Sequence, residues 1–118
     1  MTSQKPNRTP EQVAQNHITA VLTGDTKQMA ADYSKDAILE RGGDIYTGIK
    51  EIQAYFQTVP NRLGNAQIHF DKLLIDGTQA TFFWRIVGEN IKASGTDLLT
   101  IQNGEITHQS VKLNSSDF

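Results

Sequence analysis

The side chains best suited to chemistry in this sequence are its three histidines, His17, His69 and His108, together with Asp97. An imidazole titrates near neutral pH, and a carboxylic acid among apolar groups has a raised pKa, so the two groups suit proton transfer at physiological pH. The absence of cysteine excludes disulfides, thiol nucleophiles and thiolate zinc sites. The histidines lack a paired spacing and no glycine-rich phosphate loop is present, so we expect neither a metal nor a cofactor.

Hairpin register predicts which of these side chains share a surface, because antiparallel partners across a two-residue turn have a constant index sum. Across the turn at Asn103-Gly104, Leu99 is predicted opposite His108 and Asp97 opposite Ser110. Asp97 and His108 then become diagonal neighbours on one largely apolar face.

The other turns predict an aromatic lining around Asp97. A turn at Glu89-Asn90 puts Phe82 opposite Asp97, and a turn at Asp76-Gly77 puts His69 opposite Trp84, although a slip of one residue would reverse the latter assignment. The alternative for each is a structural role: a hydrogen-bonded core histidine, a carboxylate tied to a hydroxyl, or aromatic core filling. The expected pocket residues are His17, Tyr55, His69, Phe82, Trp84, Asp97, Leu99 and His108, with Arg41 as a further pocket-facing candidate.

Helices in the first half of the chain are expected to position His17 and Tyr55. Thr9-Pro10-Glu11-Gln12 provides a capping hydroxyl, a proline at the first helical position and a glutamine three residues after the cap, and Gly24 provides a stop. Apolar spacing predicts a second short helix from Thr26 and a third from Gly48 that ends at Pro60.

The rest of the chain predicts strands. Two short strands, Ala37–Leu39 and Ile45–Thr47, flank a glycine turn, and a four-stranded antiparallel meander extends to Leu113. Helices first and a meander afterwards predict an α+β fold in which a curved, mostly antiparallel sheet packs around three helices. We expect one domain over residues 9–113 with flexible ends at 1–8 and 114–118.

The composition restricts the partners. The 118 residues carry a net charge of −2, so a nucleic-acid surface is not expected, and no apolar run is long enough to span a membrane. The polar N-terminus predicts a cytoplasmic location. On the opposite sheet face, Phe83, Leu98 and Val111 would leave an apolar patch, which predicts a homodimer.

The order of these elements resembles the nuclear-transport-factor-two-like superfamily, and within it the SnoaL-like polyketide cyclase and ketosteroid-isomerase-like branch. The resemblance covers about residues 9–113 and implies a cone-shaped α+β fold. It rests on the following segments: Thr9–Leu22 with Gly24-Asp25, Tyr33–Ala37, Gly48 with Ile52 and Tyr55-Phe56, and Asn103–Ile106.

The resemblance also implies roles for individual residues. Ketosteroid isomerases use an aspartate base, with a tyrosine and a protonated aspartic acid as oxyanion donors. Asp97 falls at the position of the oxyanion-hole aspartic acid, His17 at that of the tyrosine, and Arg41 at that of the base. An arginine cannot take a proton, so steroid isomerase activity is not expected. The general base is left open among His108, His69 and Asp44.

Three functions remain open. The first is a small enzyme that binds an apolar, carbonyl-bearing molecule and performs isomerisation, cyclisation or dehydration by acid–base chemistry, with Asp97, His17 and His108 as catalytic residues. The second is a ligand-binding module without catalysis. The third is a dimerisation domain with a filled cone.

Overall fold

The computed structural model describes residues 8–88 and 92–114. In chain order, the elements are α1 (Pro10–Thr23), α2 (Thr26–Ala31), β1 (Tyr33–Arg41), β2 (Asp44–Thr47), α3 (Gly48–Gln57), α4 (Val59–Leu63), β3 (Gln67–Asp76), β4 (Gln79–Val87), β5 (Lys92–Gln102) and β6 (Glu105–Leu113).

Helix α1 forms as its end signals predict. The hydroxyl of Thr9 accepts a hydrogen bond from the backbone N–H of Gln12, and the Gln12 side chain accepts one from the backbone N–H of Thr9. Gly24 adopts the left-handed conformation that ends the helix. The buried side of α1 includes His17, with Val13, Ala14 and Ala20.

The prediction that Pro60 ends the third helix is wrong. Helix α3 ends at Gln57, and Pro60 lies in the first turn of the separate helix α4. A proline is tolerated there because the first backbone N–H groups of a helix have no partner within it. Helix α4 adds Arg62 to the wall beside Tyr55.

The strands form one six-stranded sheet in the order β2-β1-β6-β5-β4-β3. Only the β1–β6 pair is parallel among the pairs in the described residues. The helices pack on the inner face of this curved sheet, and the core between them is apolar. The predicted α+β cone, with a mostly antiparallel sheet, is confirmed.

Register along β6 differs from the prediction, because the β5–β6 pairing shifts by one residue between Thr100 and Ile101. His108 pairs with Thr100 and Gln109 pairs with Leu99, so His108 lies on the outer face and the prediction that it neighbours Asp97 is wrong. A bulge reverses the face of every later residue in a strand.

The same shift moves Val111 to the inner face. Val111 pairs with Asp97, whereas Ser110 pairs with Leu98. The predictions that Ser110 is opposite Asp97 and that Val111 belongs to the outer apolar patch are therefore wrong.

Strand β3 contains a second bulge, between Phe70 and Lys72. Phe70 pairs with Trp84, and His69 pairs with Arg85 on the outer face, so the predicted His69–Trp84 pair is wrong. The turn also starts one residue later than predicted, because Asp76 pairs with Gln79.

Strands β4 and β5 pair in the predicted register. Phe82 is opposite Asp97 and Trp84 is opposite Gly95. The turn proposed for this hairpin, Glu89-Asn90, lies outside the described residues.

Most of the two expected flexible ends, residues 1–7 and 115–118, also lies outside the described residues. Arg8, which we expected in the N-terminal end, is held by the fold. Its guanidinium donates to Oδ1 of Asp32 at 2.7 Å and to the carbonyl oxygen of Gly104 at 2.6 Å. These contacts connect the chain before α1 to the end of α2 and to the β5–β6 turn.

Candidate functional site

A small cavity lies between the inner face of the sheet and helices α1 and α3. Its volume is about 50 Å³, which accommodates a few water molecules, whereas sites for whole drug-sized ligands have roughly 300–1,000 Å³. The apolar walls come from Val21, Phe56, Val59, Ile68, Phe70, Phe82 and Val111. The lining residues with polar groups are His17, Tyr55, Trp84 and Asp97.

Asp97 is a buried carboxyl group held by two side-chain donors. Nε1 of Trp84 donates to Oδ1 at 2.7 Å, and Nε2 of Gln109 donates to Oδ2 at 2.6 Å. Burial raises the pKa of Asp97 from 3.8 to about 7, although these two hydrogen bonds and the charge of Arg41 act to lower it. Asp97 therefore changes between acid and carboxylate near neutral pH.

Tyr33 orients the amide that contacts Asp97. The buried hydroxyl of Tyr33 donates to Oε1 of Gln109, which leaves the amide N–H group of Gln109 directed at Asp97. Burial, followed by the charge of Asp97, raises the pKa of Tyr33 well above its usual value. Tyr33 thus stays protonated and acts as a donor, so Gln109 is fixed as a donor to Asp97.

The second donor, Trp84, depends on a glycine opposite it. A Cβ atom at Gly95 would collide with Cζ2 of the Trp84 indole and with the carbonyl oxygen of Lys112. The lack of a side chain at Gly95 allows the indole to lie against β5 with Nε1 directed at Asp97.

His17 lies inside a group of aromatic rings. The centroid of its ring lies 5.5 Å from the ring centroid of Phe56, 5.8 Å from that of Tyr33 and 6.0 Å from that of Phe82. Nδ1 is buried and has no hydrogen-bond partner among the residues that the structure describes. Burial lowers the pKa of His17 from 6.5 to about 4, so the imidazole is neutral at physiological pH.

The structure brings together some of the predicted site residues and separates the others. Leu99 is buried on the inner face but is not part of the cavity lining, and Arg41 lines a neighbouring groove. His108 lies outside the cone and binds Oε2 of Glu40 through Nε2 at 2.5 Å. The predicted residues that line the cavity are His17, Tyr55, Phe82, Trp84 and Asp97.

Sequence reasoning missed Gln109, Phe70 and Tyr33 as parts of the site. Gln109 and Phe70 were missed because a bulge in each strand places them on the inner face. Both bulges could have been found in the sequence, because the apolar residues of each strand change from even-numbered to odd-numbered positions. Apolar residues of β6 lie at Ile106, then at Val111 and Leu113. In β3 the apolar residues lie first at Ile68 and Phe70, and then at Leu73 and Ile75.

A family model described as a SnoaL-like domain matches residues 14–109. The chain belongs to this SnoaL-like domain family. The resemblance stated from the sequence is thereby confirmed. No curated protein matches the chain.

Solved structures share the cone fold of this SnoaL-like domain at low sequence identity. A protein named as a ketosteroid isomerase from Kribbella flavida DSM 17836 is 17% identical over 91% of this chain and 78% of its own, with a TM-score of 0.80. A protein named as a polyketide cyclase from Sinorhizobium meliloti is also 17% identical, over 93% and 100% of the two chains, with a TM-score of 0.76.

A de novo designed protein with a curved β-sheet is 14% identical to the SnoaL-like domain over 96% of this chain and 88% of its own, with a TM-score of 0.78. These similarities show a common fold, and a fold alone does not imply an activity.

Within the described parts of the SnoaL-like domain, no helix is long and apolar enough to cross a membrane. Residues 8–88 and 92–114 also contain no group of three potential metal-ligating side chains.

Two buried titratable groups of the SnoaL-like domain, His17 and Asp97, predict opposite effects of pH on stability. Between pH 4 and 6.5 the unfolded chain binds a proton at His17 that the folded protein does not bind, so this group makes stability rise with pH. From pH 3.8 to about 7 the folded protein binds the extra proton at Asp97, so this group makes stability fall with pH. In the shared range the two effects oppose each other.

Single variants should reveal each effect. Between pH 4 and 6.5, the free energy of unfolding of Asp97→Asn should rise with pH relative to that of the wild type. The free energy of unfolding of His17→Gln should fall with pH relative to that of the wild type. Each difference should change by about 1 kcal/mol per pH unit. Urea unfolding at a series of pH values measures both differences. Differences that do not change with pH would contradict the assignment of protonation states.

Proposed function

We propose that this SnoaL-like domain binds a small, largely apolar carbonyl compound in the cavity and transfers a proton on it through Asp97. The observation that carries the proposal is the buried Asp97 carboxyl, whose pKa of about 7 makes it both an acid and a base near neutral pH. The apolar walls suit the rest of such a ligand.

In the proposed reaction, the Asp97 carboxylate accepts a proton from the carbon next to the carbonyl group. The electron pair of that C–H bond moves towards the carbonyl oxygen and gives an enolate. Return of the proton from Asp97 to a conjugated carbon completes an isomerisation. If the Asp97 acid first exchanges its proton with water, return of the solvent-derived proton to the same carbon completes a hydrogen exchange, and neither outcome involves a net gain or loss of atoms. The Trp84 and Gln109 donors stabilise the carboxylate form on which the first step depends.

His17 is the proposed donor to the enolate oxygen. Its pKa of about 4 keeps the ring neutral, and a neutral imidazole has one N–H donor. A donor that carries no charge binds a developing oxyanion without becoming an acid strong enough to protonate it. This assignment makes Asp97 the base and moves the role of oxyanion donor to His17.

A second candidate is ligand binding without catalysis. It is supported by the small volume of the cavity and by the positions of His69 and His108 outside it. In this case Asp97 and His17 would only orient the bound molecule.

Exchange of the α-protons of butanone for deuterium in D2O, followed by proton NMR, separates the two candidates. Wild-type protein should accelerate exchange, and Asp97→Asn should reduce the acceleration at least about a hundredfold because the variant lacks a base. Asp71→Asn is the matched control, since Asp71 is an exposed carboxylate that pairs with Arg85. It should leave the rate unchanged.

Saturation-transfer NMR on the same samples detects butanone binding. Binding without any acceleration of exchange would contradict catalysis and favour the binding module. Equal rates for wild type and Asp97→Asn would contradict the role of Asp97.

The proposal includes a cytoplasmic location, and cell fractionation is the test of it.

The proposal also includes a homodimer formed through the outer face of the sheet. The outer face exposes Ile38 and Leu74 and carries the half-buried Phe83 and Leu98. Burying such a patch against a second copy would remove it from water.

Light scattering at micromolar concentration tests the dimer. The wild type should have the mass of two chains, and Leu98→Asp should have the mass of one, because a charge in the patch opposes its burial. Leu22→Asp, an equivalent change at an exposed site on α1, should remain dimeric. A monomeric wild type would contradict the proposal.

A further inference from the structure

A second concave surface lies next to the Asp97 cavity. It is an open groove of about 630 Å³ between the β1–β2 hairpin and helices α3 and α4. Tyr55 lines both the cavity and this groove, so the two surfaces meet at this residue. We call this surface the arginine groove, because its lining contains Arg41 and Arg62.

The lining of the groove combines two cations with aromatic surface. Cζ of Arg62 lies 5.2 Å from the centroid of the Tyr55 ring, which is a cation–π contact. The Tyr46 ring lies 5.0 Å from the Tyr55 ring. The carboxylate among the described lining residues, Glu51, accepts a hydrogen bond from the backbone N–H of Thr47 at 2.8 Å through Oε1.

The positive charges of the groove act on Tyr55 and also on Asp97 in the neighbouring cavity. Burial raises the pKa of Tyr55, and the guanidinium groups of Arg62 and Arg41 act to lower it. Arg41 also acts to lower the pKa of Asp97, which lies in the neighbouring cavity. The charge of Arg41, a groove residue, therefore interacts electrostatically with the carboxyl group in the cavity.

We propose that the arginine groove binds the carboxylate of a keto acid, whose carbonyl end passes Tyr55 and enters the Asp97 cavity. A planar carboxylate matches the geometry of guanidinium donors, and the rings of Tyr46 and Tyr55 suit the carbon chain next to it. The inference extends the proposed function, and rests on it only for the carbonyl end of the ligand.

The small volume of the cavity is consistent with this division. About 50 Å³ is too little for a drug-sized ligand, but a larger molecule that places one end in the groove needs to insert only its carbonyl end. Arg41 occupies the position at which the resemblance implied a base, and this inference gives that arginine a binding role.

Binding of cyclohexanecarboxylate, followed by NMR shifts of the Tyr46 and Ala54 amides, tests the groove. Arg41→Gln and Arg62→Gln should each weaken binding about tenfold, because each removes a charged donor. Arg62→Lys, which keeps the charge without the planar group, should weaken it less. Lys72→Gln removes an exposed charge elsewhere and should have no effect.

The neutral isostere cyclohexanecarboxamide should not bind measurably. Equal binding of acid and amide, no binding of the acid, or equal weakening by Lys72→Gln would overturn the proposal. Inorganic phosphate is a further probe, and tighter binding of phosphate than of the carboxylate, with the same dependence on both arginines, would overturn the assignment to a carboxylic acid.

The connection to the cavity is tested by α-proton exchange of levulinate and its longer methyl-ketone homologues, compared with their methyl esters. At least one acid of the series should exchange about tenfold faster than its ester, and Arg62→Gln should abolish this advantage. Equal rates throughout the series would overturn the connection.

Failure of the groove and failure of the proposed function have different signatures. Asp97→Asn should not weaken cyclohexanecarboxylate binding, because Asp97 does not line the groove and the change removes a negative charge near Arg41. Arginine-dependent binding without exchange of any ketone would refute the chemistry at Asp97 but not the groove. Exchange of butanone without arginine-dependent binding of the acid would refute the groove alone.

Discussion

The site depends on one constraint, which is that the Asp97 carboxyl is buried yet must have hydrogen-bond partners. An unpartnered buried polar group costs several kcal/mol, so the surrounding residues are organised to supply donors. Trp84 donates across the β4–β5 pair, where Gly95 makes room for the indole. Gln109 donates from β6, with its amide oriented by Tyr33. The bulge in β6 belongs to the same arrangement, since without it position 109 would lie on the outer face.

The second feature of the site is its lack of charge at mildly acidic pH. His17 is neutral above pH 4, and Asp97 is predominantly protonated below about pH 7, so the folded protein avoids two ions that the unfolded chain would carry. Of these two groups, Asp97 is the one that changes its protonation state near neutral pH, inside an apolar cavity and within the field of Arg41. This makes Asp97 the natural proton carrier of the site, which is why we assign it a role different from the one that the resemblance implied.

The sequence predicted the elements better than it predicted their register. Capping at Thr9 and Gly24 identified helix α1, and constant pairing across the β4–β5 hairpin correctly placed Phe82 opposite Asp97. The errors at His69 and His108 share one cause, because a bulge adds a residue and turns the rest of the strand over. The change in apolar parity within each strand carries this information, but only when the whole strand is considered. The arginine groove could not be predicted, because Arg62 lies on α4, a separate helix that begins where the sequence predicted the third helix to end.

The central claim is that Asp97 titrates near neutral pH within the folded protein. Carbon NMR of protein labelled at the aspartate carboxyl carbons measures this directly, and Asp97→Asn identifies the signal. The Asp97 signal should titrate with a midpoint near pH 7. A midpoint near the ordinary value of 3.8 would show that the carboxyl is not desolvated in this way, and would contradict the proton-transfer role.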